Sequence, residues 1–346
     1  MPAPSAKPPA PAAPRHPYRR SARTAIIVGW SFALLVLAAL TASVIHLSEL
    51  EHFTALLAAA RPQWLLVALA LQLGTYASEA AIWYVLLRLI GHRQRWSALV
   101  PLSLAKLFAD QAVPTGGLSG NILVVEVLAR RGVPARSALA ALMTGAIVYF
   151  LAYFAMGLLA LGVLRDHHVL SRLMILGVTI LAAVALGLPG LLLAIANLHR
   201  PRWLDRLASA PPVAAGLAAI GDAWPLVRRH PGPIAAAFVF QALIFVLDGA
   251  TLWTMLHAMG RAGEPMVPIA AFMMGSIAAS LGPFPLGLGG FEAACTSMLT
   301  LLGTPLEAAF TATFLLRGLT LWLPMLPGLW LARWEIRQAA RRPAQG

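Results

Sequence analysis

Apolar stretches long enough to cross a lipid bilayer recur along most of this 346-residue chain. A membrane-spanning helix needs about 20 consecutive apolar residues, and 59% of the residues here are hydrophobic while 11% are charged. The roughly ten-residue alternation typical of a membrane β-barrel is missing. The sequence therefore predicts an all-α polytopic membrane protein. About six full spans are expected, at 24–47, 63–87, 138–164, 173–196, 233–258 and 306–332.

Two further apolar segments, 97–131 and 266–303, are split by proline and glycine. We interpret each as a broken re-entrant hairpin, whose two helices enter and leave the membrane on the same side. Of the 26 Lys and Arg residues, twenty fall in segments predicted to face the cytoplasm and four in segments predicted to lie outside. The remaining two, Lys106 and Arg317, lie within membrane segments. This bias follows the positive-inside rule and places both termini in the cytoplasm.

The distribution of charge also indicates the partners. The formal net charge is +13, but arginines in short loops between spans are typical of a topology signal and of contact with anionic headgroups. We therefore expect the protein's partners to be membrane lipids, chiefly anionic lipids, and not nucleic acid. Residues 1–23 are expected to be a disordered basic cytoplasmic tail, 24–332 a single transporter-like transmembrane domain, and 333–346 a second basic tail.

The chain contains an internal repeat. An offset of 171 residues aligns "VPTGGLSGN" at 113–121 with "FPLGLGGFE" at 284–292, and an offset of 169 aligns Glu79 with Asp248. Because the predicted topology starts the first copy outside and the second inside, the copies would be inverted repeats, an architecture common in secondary transporters. The repeat halves are predicted at approximately 61–164 and 230–332.

The segment "GPFPLGLGGFE", residues 282–292, interrupts an otherwise apolar helix. Proline removes an N–H donor and glycine allows positive φ and close backbone approach. Within the membrane such backbone is tolerated only where protein covers it or where it lines a wet cavity. The half-helix that starts near Gly290 would point its positive end at the break, which suits an anion such as phosphate. The alternative is a tight packing corner built from glycine.

Charged side chains within membrane segments are usually functional or paired. Lys106 and Asp110 are four residues apart and can neutralise each other on one helix face, and both a structural and a functional pair stay open. Arg317 has no acid three or four positions away, so it needs a partner from elsewhere, for which Glu292 is the first candidate. Its planar guanidinium also suits a phosphate headgroup.

These patterns define the candidate site. The predicted substrate-binding residues are Arg317, Glu292, Gly287, Gly289, Gly290, Lys106, Asp110, Gly116, Gly117 and Asn121. For Glu79 and Asp248, proton coupling and neutral hydrogen-bonded packing are both open. The sequence shows no Walker motif, no metal-ligand spacing and no Ser–His–acid set that can be placed on one face, so no cofactor, metal site or catalytic residue is expected.

Over approximately residues 25–335 the chain resembles the family called the lysylphosphatidylglycerol synthase transmembrane region, also described as an uncharacterised membrane protein family. The likeness rests on "VPTGGLSGN…EVLARRGVPARSALAAL" and on "LGPFPLGLGGFEAACTSMLTLLGTPLEAAFTATFLLRG". The family's second signature maps onto Pro285, Gly287, Gly289, Glu292, Gly303, Ala309 and Leu315-Leu316-Arg317. Its first signature usually carries Gly-Glu, whereas here Gly120 is followed by Asn121.

The resemblance implies a bacterial inner-membrane protein similar to the flippase half of the multiple peptide resistance factor. The chain ends 14 residues past its last predicted helix, so the synthase domain of those larger proteins is not expected. We expect a lipid transporter, not an enzyme, that moves a phospholipid or polyprenyl-type lipid between leaflets by alternating access to a midplane cavity. The alternatives are an accessory subunit of a lipid- or glycan-modifying enzyme, which would need Asp110 and Glu292 as a carboxylate pair, and a non-transporting scaffold. A homo-oligomer is left open.

Overall fold

The structure is a computed structural model that describes most of the chain between residues 61 and 322. The described residues are 61–112, 118–197, 219, 221, 223–261, 263–281 and 287–322. The predicted span 24–47, both predicted tails, and the candidate site residues Gly116 and Gly117 lie outside them.

Within the described residues the regular secondary structure is entirely helical. The helices are α1 (Pro62–Leu89), α2 (Trp96–Ala112), α3 (Leu118–Arg130), α4 (Ala135–Asp166), α5 (Arg172–Asn197), α6 (Pro231–Ala258), α7 (Met266–Leu281), α8 (Gly290–Leu301) and α9 (Leu306–Arg317). A π-helical turn, Gly318–Trp322, continues α9. The prediction of an all-α fold is confirmed for this part of the chain.

Among the described residues, three helices are long and apolar enough to cross a membrane, Gln63–Leu89, Ala135–Asp166 and Pro231–Ala258. Two shorter apolar helices, Arg172–Val184 and Met266–Leu281, accompany them. Large apolar side chains such as Leu66 and Leu173 are exposed on the outside of the bundle, which suits contact with lipid tails. The chain is thus a helical membrane protein, while the number of spans and the side of each terminus stay predictions.

The two halves of the chain have the same order of helices, and the first three helices of each half have matching lengths. α1 and α6 each contain 28 residues and begin at a proline, Pro62 and Pro231, whose missing N–H is not needed at a helix start. Two residues past the end of each helix lies a glycine with positive φ, Gly91 at 84° and Gly260 at 73°. α2 and α3 correspond to α7 and α8, and α4 corresponds to α9.

α1 and α6 pack against each other in opposite directions. The Arg61 N–H, at the start of α1, donates to the Ala258 carbonyl oxygen at the end of α6 over 3.0 Å. Further along, Gln72 of α1 contacts Asp248 of α6. Antiparallel packing of repeat mates is the relation that an inverted repeat requires. The orientation of the halves across the membrane stays a prediction.

Both broken segments form helical hairpins at the predicted places. α2 ends at Ala112 and α3 begins at Leu118, while α7 ends at Leu281 and α8 begins at Gly290. The second helix of each hairpin folds back on the first, so that Gly120 of α3 meets Lys106 of α2 and Cys295 of α8 meets Gly275 of α7. Entry and exit on the same side of the membrane stay predictions.

Candidate functional site

Lys106 lies at the centre of a cluster of three charged side chains from two helices. Its Nζ atom is 3.3 Å from Glu79 Oε1 of α1 and 3.7 Å from Asp110 Oδ2 of α2. The pair of Lys106 with Asp110, expected from their spacing, is formed, and Glu79 joins it across the helix interface. Between 19% and 24% of each of the three side chains is exposed.

Neutral donors complete the bonding of both carboxylates. The Trp83 indole N–H donates to Glu79 Oε1 over 3.1 Å, and the Gly120 backbone N–H donates to Asp110 Oδ1 over 2.7 Å. The cluster therefore holds two carboxylates and one ammonium, a formal charge of minus one. Each carboxylate has bonds that stabilise its ionised form.

Gly120 is placed so close to this cluster that a side chain would not fit. A Cβ atom at this position would lie 2.5 Å from Asp110 Oδ2 and 2.5 Å from the Lys106 carbonyl oxygen. The glycine thus allows α3 to approach α2 and to donate its N–H to Asp110. Sequence reasoning did not assign this role to Gly120.

We expect Gly120→Ala to lower the free energy of unfolding by about 1–3 kcal/mol, because the added methyl forces α2 and α3 apart. Chemical denaturation in detergent micelles would measure it. Gly162→Ala on α4 is the matched control, since an added Cβ there meets nothing within 4 Å. Equal stability of the two variants would contradict the close approach at Gly120.

A cavity of about 820 Å³ opens beside the charged cluster. Its polar lining comprises Glu79, Lys106, Asp110, Asn121, Tyr149 and Gln241, with Glu126 also on its wall. Apolar side chains of α1, α3 and α4 form most of the remaining wall, and the α4 lining runs from Leu139 to Phe150, a length of about 16 Å. An apolar cavity with a few convergent polar groups is typical of a small-molecule site.

Three of the predicted site residues, Lys106, Asp110 and Asn121, and one predicted coupling residue, Glu79, therefore share this cavity. Sequence reasoning missed Gln241 and Tyr149. A signal for Gln241 was present, because the offset of 169 residues aligns it with Gln72. No comparable signal marked Tyr149.

The second break holds a different arrangement, a buried ion pair. Arg317 Nε donates to Glu292 Oε1 over 2.7 Å, with only 14% and 8% of the two side chains exposed. The Arg317 guanidinium also lies 4.8 Å from the centre of the Phe291 ring, a cation–π contact. The partner expected for Arg317 is confirmed.

Glu292 also caps the positive end of α8. Its Oε2 atom accepts the Gly289 N–H over 2.7 Å, so one carboxylate neutralises both Arg317 and the helix N-terminus. A phosphate at this place would have to displace Glu292. A substrate-binding role for Arg317, Glu292 and Gly290 stays a prediction.

The glycines of the second break let the backbone turn. Gly287 and Gly289 have φ values of 64° and 82°, which side chains disfavour, and Gly290 is the first residue of α8. A Cβ at Gly287 would lie 2.4 Å from Ala279 Cβ. Both glycines are thus explained by turning and close packing, and a contact with substrate is not needed to account for them.

The two halves differ at the residues that correspond to the ion pair. The offset of 171 aligns Glu292 with Asn121 and Arg317 with Ala146. Both Asn121 and Ala146 line the cavity. The cavity therefore occupies the place in the first half where the second half has a buried carboxylate and guanidinium.

Asp248, the mate of Glu79, lies outside the cavity lining. It accepts a hydrogen bond from Gln72 Nε2 over 2.9 Å, and the same nitrogen lies 3.0 Å from Thr251 Oγ1. This arrangement is the hydrogen-bonded packing that the sequence left open. Proton coupling through either acid stays a prediction.

The described part of the chain contains no group of three or more His, Cys, Asp and Glu side chains that could hold a metal ion. Asp110 and Glu292 have different partners, and only Asp110 lines the cavity. The carboxylate pair that an enzymatic role would need is thus not assembled in this conformation.

The chain also matches a known protein family. The family model described as "Lysylphosphatidylglycerol synthase TM region" matches residues 25–328. No curated protein matches the chain.

Proposed function

Since the chain belongs to the lysylphosphatidylglycerol synthase transmembrane region family, we propose that it moves a phospholipid between the two leaflets of a bacterial inner membrane. The observation that carries this proposal is the cavity of about 820 Å³ with a charged cluster on an otherwise largely apolar wall. A cavity of this size and character suits a lipid headgroup. The acyl chains would stay among the surrounding lipids.

The cluster suits a headgroup that combines phosphate with hydrogen-bond donors. Lys106 can donate three hydrogen bonds, and a phosphate can take one of them in competition with Glu79 and Asp110. Hydroxyl groups of the same headgroup can donate to the two carboxylates. Asn121 and Gln241 add amides that donate or accept. An anionic lipid with a polyol headgroup, such as phosphatidylglycerol, has this combination of groups.

The repeat supports alternating access as the mechanism. In inverted-repeat transporters, the two halves exchange conformations around a fixed site and so open it to each side in turn. Here the cavity lies mainly in the first half, and at the corresponding place the second half holds the pair of Glu292 and Arg317. The proposed cycle needs no catalytic residue, so the protein acts as a transporter and not as an enzyme.

Transport is tested in proteoliposomes that carry fluorescent phosphatidylglycerol or fluorescent phosphatidylcholine in both leaflets. Dithionite destroys the fluorophores it can reach, so extra loss of fluorescence reports movement to the outer leaflet. We expect wild-type protein to accelerate movement of phosphatidylglycerol more than that of phosphatidylcholine. Equal rates with protein-containing and protein-free vesicles would overturn the transporter proposal for these lipids and favour an accessory role beside an enzyme.

We expect Ala146→Trp to reduce lipid movement to near the rate of protein-free vesicles. Ala146 lines the cavity, and a tryptophan side chain would fill much of the space at the charged cluster. The matched control is Leu158→Trp on the same helix, where 50% of the native side chain is exposed. Undiminished movement by a folded Ala146→Trp protein would show that the headgroup does not pass through this cavity.

A further inference from the structure

Two glutamine–acid pairs occupy equivalent places where α1 packs against α6. Gln72 of α1 donates to Asp248 of α6. Glu79 lies seven residues after Gln72, and Gln241 lies seven residues before Asp248. Seven residues are about two helical turns, and the helices are antiparallel. Glu79 therefore faces Gln241 in the same register in which Gln72 faces Asp248.

The four residues are also repeat mates. The offset of 169 aligns Gln72 with Gln241 and Glu79 with Asp248. Each half thus contributes one glutamine and one acid, and each pair joins the two halves. The two pairs are related by the approximate twofold symmetry that an inverted repeat generates.

In this conformation only the first of the two pairs is joined by a hydrogen bond. The pair of Gln72 with Asp248 is closed at 2.9 Å. Gln241 is 6% exposed and lines the cavity together with Glu79, but no hydrogen bond joins its side-chain amide to another described residue. Glu79 is bonded instead to Lys106 and Trp83.

Because Gln241 lines the cavity, its amide can take a partner on that side, and a hydrogen bond to an ionised carboxylate is stronger than one to a neutral group. Glu79 is the acid that the register places opposite Gln241. Lys106 competes with Gln241 for that carboxylate. Any group that draws Lys106 away from Glu79 therefore favours the bond between Glu79 and Gln241.

We propose that Glu79 exchanges its contact with Lys106 for a hydrogen bond from Gln241. The two glutamine–acid hydrogen bonds, Gln72 with Asp248 and Gln241 with Glu79, would then form in alternation. This inference rests on the transport function proposed above. When the phosphate of a headgroup binds Lys106, Glu79 turns to Gln241, and α1 and α6 draw together at that end. The pair of Gln72 with Asp248 then opens at the other end.

Gly74 provides a contact about which the helices can rock. It lies between Gln72 and Glu79, and a Cβ atom there would be 3.1 Å from Leu247 Cδ1. The absence of a side chain at Gly74 lets α1 approach α6 closely between the two pairs. Closing one side of such a contact opens the other. The exchange thus gives the two conformations that alternating access requires.

The test measures the spacing of α1 and α6 at each end, with the four paired residues left intact. Two double-cysteine variants are made in a Cys295→Ala background, which removes the single native cysteine. Ala68→Cys with Leu252→Cys reports on the end near Gln72, and Ile82→Cys with Ala237→Cys on the end near Glu79. All four native side chains are buried, and each lies about one turn from its pair.

Both variants are treated with a short bifunctional thiol reagent in nanodiscs of phosphatidylcholine, with and without phosphatidylglycerol. We expect phosphatidylglycerol to raise the cross-linking rate at the Glu79 end and lower it at the Gln72 end, each by at least about twofold. Rates that change in the same direction, or that stay constant while the protein retains bound phosphatidylglycerol, would overturn the exchange.

Two single substitutions give an independent measurement. Gln72→Leu removes the contact that is closed here, and Gln241→Leu removes the contact proposed for the other state. In the Ile82→Cys, Ala237→Cys variant we expect Gln72→Leu to raise the cross-linking rate and Gln241→Leu to lower it. Equal effects of the two substitutions would overturn the proposal.

These results separate the inference from the transport function on which it rests. Opposite changes in cross-linking, together with no lipid movement in proteoliposomes, would retain the exchange and reject transport. Lipid movement with unchanged cross-linking would retain transport and reject the exchange.

Discussion

Replacing Arg317 by methionine is expected to lower the free energy of unfolding by about 3–5 kcal/mol, the usual consequence of removing one member of a buried ion pair. The reason is the Glu292 carboxylate, which would stay 8% exposed without its cation. Methionine retains much of the apolar volume of the arginine stem. The loss would therefore report mainly on charge and not on packing.

The matched control removes both charges. Glu292→Gln with Arg317→Met leaves an amide oxygen that can still accept the Gly289 N–H, which now bonds to the carboxylate. We expect the double variant to be more stable than Arg317→Met alone, because no unpaired buried charge is left. Denaturation in detergent micelles would measure both variants. If the double variant were no more stable than the single one, the pair would not be the main stabilising interaction at this break.

Replacing Lys106 by methionine is expected to reduce movement of phosphatidylglycerol by at least about tenfold. A hydrogen bond to a charged group contributes about 1.5–3 kcal/mol, and about 1.4 kcal/mol corresponds to tenfold in binding. The substitution also leaves Glu79 and Asp110 without the cation that they share. The dithionite assay described above measures the rate.

A neutral version of the cluster separates function from stability. The triple variant Lys106→Met, Glu79→Gln, Asp110→Asn carries no charge in the cluster, so no unpaired charge there destabilises the fold. We expect this triple variant to regain stability relative to Lys106→Met without regaining lipid movement. Restored movement in the triple variant would mean that Lys106 serves only to neutralise the two acids.

Most of the helix positions followed from the sequence alone, since apolar length and the Pro and Gly breaks act locally. The described helices begin within a few residues of the predicted segments, and α8 begins at Gly290. Their ends agree as closely, except that the predicted end of the span 306–332 lies outside the described residues. Two of the charge pairs were also predictable. The spacing of Lys106 and Asp110 places them on one helix face, and Arg317 required an acid from another helix.

The composition of the cavity was less predictable because it depends on contacts between helices. The bond between Glu79 and Lys106 requires the relative register of α1 and α2, which no local pattern specifies. Gln241 is a single polar residue in an apolar helix, and its position opposite Glu79 follows only from the antiparallel packing of α1 and α6. Asn121 and Ala146, which line the space, are small or uncharged residues that gave no signal of a cavity.

The correspondence of Asn121 with Glu292 and of Ala146 with Arg317 has an evolutionary consequence. After a gene duplication, one copy of a stabilising interaction can be lost as long as the other is retained. We expect the half that keeps the ion pair to depend on both of its members for folding, whereas the other half has a cavity at the corresponding place. We therefore expect substitutions at Asn121 and Ala146 to be tolerated better by the fold than substitutions at Glu292 and Arg317.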